Sequence, residues 1–85
     1  MANSKAKVTV YSTTWCGYCK MLKTYLKGRN VDFDEVDIEE DRAAGQQIIE
    51  ATGQMGVPVT NIGGKYIIGF DRPRIDAALQ ELHLI

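Results

Sequence analysis

The chain has 85 residues, 45% of them apolar and 25% charged, with a net charge of −1. That length supports one core and no second domain, and the composition is that of a globular protein rather than a disordered or fibrous one. The near-neutral charge offers nothing to nucleic acid or an anionic membrane, no apolar run approaches the roughly 18 residues of a membrane span, and the start, Met1 to Lys7, lacks the apolar stretch of a signal peptide.

Residues 1–6 read as a disordered arm, ahead of one domain over 7–85. Residues 7–12 alternate, with Val8 and Val10 on one face, and predict the first strand. Thr13 and Thr14 form a loop whose hydroxyls can help cap the following helix. That helix is predicted over 17–28, with Met21, Leu22, Tyr25 and Leu26 on its inward stripe and a stop near Gly28. A second strand over 32–38 carries Phe33, Val36 and Ile38. Asp41 offers an N-cap to a helix over 42–52, which turns Ala44, Ile48, Ile49 and Ala51 inward and ends at Gly53.

The second half changes character. Val57 to Ile62, then Gly63-Gly64, then Lys65 to Ile68 form a hairpin signature, with two glycines able to take positive φ. Pro58 belongs at the start of its strand because it has no N–H for the ladder. Asp71 caps a third helix with Pro73 in its first turn and Ile75, Ala78, Leu79 and Leu82 on its inward stripe. Met55 reads as packing and His83 as a solvated terminal residue. The order β-α-β-α-β-β-α predicts an α/β fold: a mixed four-stranded sheet flanked by three helices.

Both cysteines lie in Trp15-Cys16-Gly17-Tyr18-Cys19, between the first strand and the first helix. A helix N-terminus stabilises a thiolate and lowers its pKa from about 8.5 into the range of roughly 3.5–7.5. Cys19, one turn later, can close a disulfide and release a bound substrate. Half a zinc site, a structural disulfide and two accidental core residues are the competing readings. Zinc wants about four ligands, yet the remaining soft ligand is His83, so no metal site is expected. A two-residue loop constrains the unfolded chain little. Trp15, Tyr18 and the position before a helix favour a redox dithiol. Without a secretion signal the expected compartment is the cytoplasm, where disulfides are rare unless catalytic.

Charge is unevenly placed. Seven of the eleven acidic residues lie between Asp32 and Asp41, and Lys20, Lys23, Lys27 and Arg29 follow the dithiol. Those cations fit a field that aids the thiolate and draws acidic partners. They equally fit a solvated helix face with positive charge toward its C-terminus.

Three landmarks together, Tyr11-Ser12-Thr13-Thr14-Trp15-Cys16-Gly17-Tyr18-Cys19, Gly56-Val57-Pro58 and Gly69-Phe70-Asp71, resemble those of glutaredoxins in the thioredoxin-fold superfamily. The similarity runs from about Lys7 to Leu82. It implies a thioredoxin-like fold and a glutathione-dependent disulfide oxidoreductase, acting as a monomer on disulfide-bearing or glutathionylated proteins. Cys16 then resembles the exposed nucleophile and Cys19 the buried resolving thiol. Val57-Pro58 resembles the step whose proline is cis and whose preceding backbone pairs with the substrate. Phe70 and Asp71 resemble the positions that hold the γ-glutamyl end of glutathione, with Tyr18 a substrate contact and Trp15, Gly17 and Gly69 in support.

The chain also departs from the family pattern. Thr13 stands where many glutaredoxins have lysine, and Ile68-Gly69 where many have two glycines. Ile68 to Pro73 is also similar to a stretch of redoxins that take electrons from thioredoxin reductase and serve ribonucleotide reductase. The dithiol itself is similar to that of mycoredoxins and of dimeric glutaredoxins that bridge an iron–sulfur cluster with glutathione. No permanently bound cofactor is expected.

Overall fold

In the computed structural model, β1 (Val8–Ser12) is an inner strand of the sheet. It pairs parallel with β2 (Asp34–Asp37) and antiparallel with β3 (Val59–Ile62), and β4 (Lys65–Ile68) closes the order β2-β1-β3-β4. The structure describes residues 8–14, 16–53 and 56–85. The arm at 1–6, Lys7 at the start of the first expected strand, Trp15 and Met55 lie outside them. Three helices, α1 (Gly17–Gly28), α2 (Arg42–Thr52) and α3 (Arg72–Glu81), complete the expected mixed α/β architecture.

Period-two alternation sorts the sheet into two faces. Val8 and Val10 face the same way as Ile62 and Ile67, and they form one buried cluster with Leu22 and Leu26 of α1 and Ile75, Ala78 and Leu79 of α3. The opposite face presents Thr9, Tyr11, Val59 and Asn61. Ala44 and Ile48 of α2 are buried apart from the α1–α3 cluster. The parallel β1–β2 pair needs a crossover, and α1 supplies it.

Several boundaries differ from the sequence reading. The second strand is four residues, not seven, because Asp32 and Phe33 precede the paired segment; Ile38 keeps one backbone bond, from its N–H to the Ser12 carbonyl at 3.0 Å. α1 ends at Gly28, as expected, but the left-handed residue that closes it is Asn30, at φ 59, with the Val31 N–H on the Leu26 carbonyl and the Asn30 N–H on the Lys27 carbonyl, both at 3.0 Å. This is a Schellman cap with asparagine in the left-handed position. His83, also at φ 59, ends α3 the same way through the Leu84 N–H and the Leu79 carbonyl at 2.8 Å. The hairpin glycines behave as expected, with φ of 60 and 98 at Gly63 and Gly64, as a type I′ turn requires. Met21 and Ala51, both expected inside, are exposed. Among the described residues no helix is long and apolar enough to cross a membrane.

Thr60 sits in the middle of β3, fully buried, and its hydroxyl has no hydrogen-bond partner. A buried unsatisfied hydroxyl is destabilising by about 1–3 kcal/mol. Thr60→Val keeps the shape and removes that group. The variant is expected to gain about 1 kcal/mol, seen as a rise of roughly 4–8 °C in the thermal midpoint by calorimetry.

Candidate active site

β1 ends at Ser12, and four residues later Cys16 takes an extended backbone (φ −90, ψ 117) and becomes the N-cap of α1. Its side chain does what a serine or aspartate does elsewhere: the Cys19 N–H donates to Cys16 Sγ at 3.2 Å. The two threonines expected as caps do other things. The Thr14 hydroxyl donates to Asp37 at 2.9 Å, and the Thr13 hydroxyl is buried without a partner. Gly17 opens the helix with nothing within 4 Å of where a Cβ would stand.

The two thiols are free and differently placed. Cys16 is half-buried, whereas Cys19 points into the core with no exposure. Burial above all, then the hydrogen bond it makes to Cys16, pushes the Cys19 thiol up to about 11. The Thr13 backbone donates back to it and Lys23 adds a favourable field, so both oppose that rise. Lys23 is itself held by Glu35 of β2 at 2.5 Å.

Asp37, at the end of β2, steadies the loop before the dithiol. Its carboxylate accepts from the Glu39 N–H and the Thr14 hydroxyl, each at 2.9 Å, and these two bonds hold it below the usual carboxylate range.

The Val57–Pro58 peptide bond is cis, as the family resemblance implies. Pro58 is buried and Val57 half-buried. The Pro58 carbonyl accepts from the Gly69 N–H at 2.8 Å, and Gly69 has φ 79, a conformation glycine reaches without strain. That bond attaches the third landmark to the second. Next to it, Phe70 leans edge-on against Tyr25, ring centroids 5.8 Å apart. Asp71 caps α3 from the Arg74 N–H at 3.4 Å, and its carboxylate also meets Arg74 Nε at 3.5 Å. Tyr18 is 66% exposed.

Thr13 and Val57 line one groove of about 420 Å³, together with Ile38, Arg42, Gly45 and Ile49. The sequence reading missed Arg42, Gly45 and Ile38. Arg42 did leave a signal: it opens α2, where a cation opposes the helix dipole. α2 packs closely on the chain after β2 at Gly45, where a Cβ would stand 3.4 Å from Ile38. Among the described residues no cluster of three or more His, Cys, Asp or Glu is placed to hold a metal ion.

The glutaredoxin family model matches residues 8–67 of this chain. An uncharacterised glutaredoxin-like protein from the rubredoxin operon of Clostridium pasteurianum is 38% identical over 74 residues, 87% of this chain and 99% of its own length. A glutaredoxin of Archaeoglobus fulgidus has the same fold at a TM-score of 0.80 and 26% identity, over 91% of this chain and 89% of that one. Buckwheat glutaredoxin, solved in complex with glutathione, follows at a TM-score of 0.74 and 28% identity, over 88% of this chain and 74% of its own.

The contrast between the thiols sets an expected outcome. Iodoacetamide at pH 7 should modify Cys16 and leave Cys19 unmodified in the reduced native protein, read by peptide mass mapping. Raising Cys19 from 9.0 to about 11 favours its protonated form in the fold, so its contribution to stability is complete below pH about 9 and disappears as pH passes about 11. Denaturant titrations of the reduced protein should therefore lose stability across that window, and Cys19→Ala should flatten the loss.

Proposed function

The chain belongs to the glutaredoxin family of thiol–disulfide oxidoreductases, and from that premise we propose that it reduces protein disulfides and glutathione mixed disulfides, as a cytoplasmic monomer with glutathione as electron donor. The observation that carries this reading is the pairing of Cys16 Sγ, a helix cap at the surface, with a buried Cys19 that donates to it.

In this reading the Cys16 thiolate attacks one sulfur of a protein disulfide. That S–S bond breaks, a mixed disulfide forms and the first protein thiolate leaves. Cys19, deprotonated as the reaction proceeds, attacks the Cys16 sulfur; the second protein thiol leaves and the Cys16–Cys19 disulfide remains. Two glutathione molecules restore the dithiol and leave as glutathione disulfide. With a glutathionylated protein Cys16 takes the glutathionyl sulfur, and a second glutathione releases it without Cys19.

The groove shared by Thr13 and Val57 suits the glycyl half of glutathione, with the Val57 backbone as a strand-like partner for the extended tripeptide. Arg42 supplies the cation that Thr13 lacks. Asp71 and the N–H groups at the start of α3 suit the γ-glutamyl end beside Phe70, where a helix start favours a carboxylate. Tyr18 stands exposed beside the dithiol as a further substrate contact.

The decisive assay is NADPH consumption run in parallel with glutathione plus glutathione reductase and with thioredoxin reductase. Glutathione is expected to sustain turnover; turnover with thioredoxin reductase alone would assign the protein to the redoxins instead. Cys16→Ser should abolish all activity, while Cys19→Ser should stop protein-disulfide reduction and spare deglutathionylation. Arg42→Ala should raise the KM for glutathione by up to about fivefold, the equivalent of an exposed charge contact of about 0.2–1 kcal/mol. Thr13→Lys should lower it modestly.

A further inference from the structure

α1 carries a second apolar row, of which only Tyr25 packs against the core. Cys19, Leu22 and Leu26 face inward with 0% exposure. One position earlier, Tyr18, Met21 and Tyr25 repeat the same spacing on the neighbouring face, with Tyr18 66% and Met21 52% exposed. Single exposed apolar residues are ordinary on a protein surface. These are contiguous, and they border a groove. Lys20, Met21, Thr24, Tyr25 and Phe70 line a shallow depression of about 400 Å³. Its walls are braced: the Tyr25 hydroxyl donates to Asp76 of α3 at 2.5 Å, and Phe70 packs edge-on against the Tyr25 ring. The groove also begins one helical turn from the dithiol, where the Lys20 N–H donates to the Cys16 carbonyl at 3.3 Å.

The charge on α1 itself has one sign, and the carboxylates at the far wall are Asp76, bonded to Tyr25, and Asp71, the cap of α3 next to Phe70. α1 contains Lys20, Lys23 and Lys27 and no carboxylate. Lys23 is paired with Glu35, whereas Lys20 makes no ion pair among the described residues. Seven of the eleven acids lie elsewhere, between Asp32 and Asp41. Glutathione has no apolar side chain to fill such a groove, so a protein suits it better.

We infer that the face of α1 from Tyr18 to Tyr25, closed by Phe70, docks the protein whose disulfide reacts at Cys16, taking an apolar side chain with a neighbouring carboxylate opposite Lys20. The inference rests on Cys16 as the reacting thiol. It adds a partner-selecting contact whose lining shares no residue with the groove lined by Thr13 and Val57.

The test uses the full reduced chain in single-turnover reactions with symmetric disulfides of blocked cysteinyl peptides. In one set a Glu-Leu pair stands two to six residues from the cysteine, on either side; matched sets carry Lys-Leu and Glu-Ser. Bis(2-hydroxyethyl) disulfide is the small-molecule control. At one or more spacings Glu-Leu peptides should react about fivefold faster than Glu-Ser peptides, as expected from half-burying a leucine. They should also react up to about fivefold faster than Lys-Leu peptides, a preference that fades in high salt. Met21→Ser should erase the leucine preference, and Lys20→Glu should reverse the charge preference. Comparing ratios between peptides removes any general change in Cys16 reactivity. Equal rates for all three sets at every spacing, with the small disulfide still reduced, overturn the docking face alone. Failure to reduce any peptide or the small disulfide overturns the assignment of Cys16, and the docking face with it.

Discussion

A sulfur occupies a position that helices ordinarily give to oxygen. α2 and α3 start with Asp41 and Asp71, which accept from Ala44 N and Arg74 N three residues on. α1 starts with Cys16, which accepts from Cys19 N in the same way. The cap of α1 is therefore a thiol sulfur. The bond that closes the first turn of α1 also fixes the sulfur at the positive end of the helix, where negative charge is favoured. It sets Cys19 on the turn beneath, within reach of Cys16 and under the cover of the core.

That cover has a chemical consequence. Cys19 anchors α1 beside Leu22 and Leu26, all three without exposure. An apolar setting suits a packing residue and opposes a thiolate, which is why the Cys19 thiol lies so high. The Thr13 backbone and Lys23 act against the rise from two directions, one from the loop after β1 and one from the next turn of α1. The contrast between half-buried Cys16 and fully buried Cys19 is thus a result of where α1 rests on the sheet.

The remaining parts are attached by bonds between segments distant in the chain. Thr14 reaches Asp37, Lys23 reaches Glu35, the Gly69 N–H reaches the Pro58 carbonyl, and Tyr25 reaches Asp76. Because β1 lies between β2 and β3, the loop that follows it is flanked by the end of β2 and the approach to β3. Ile38, Arg42 and Val57 meet Thr13 in one groove for that reason.

What the sequence determined by itself was local. Alternation at Val8 and Val10, the caps Asp41 and Asp71, the paired glycines of the hairpin and the two cysteines ahead of a helix depend on short-range geometry, and the structure follows each of them. The landmarks around Val57-Pro58 and Gly69-Phe70-Asp71 were legible through family resemblance, and their connection through Gly69 and Pro58 was not. Tertiary structure decided the rest. A period of 3.6 marks Tyr18, Met21 and Tyr25 as well as it marks Cys19, Leu22 and Leu26, and the position of the sheet alone chooses which row is buried. Asn30 and His83 take left-handed caps because Val31 and Leu84 must turn back toward the core. Arg42 and Thr13 are 29 positions apart, and a groove between them exists only once β1, β2 and α2 have packed, since spatial proximity across such a distance leaves no periodic trace in the chain.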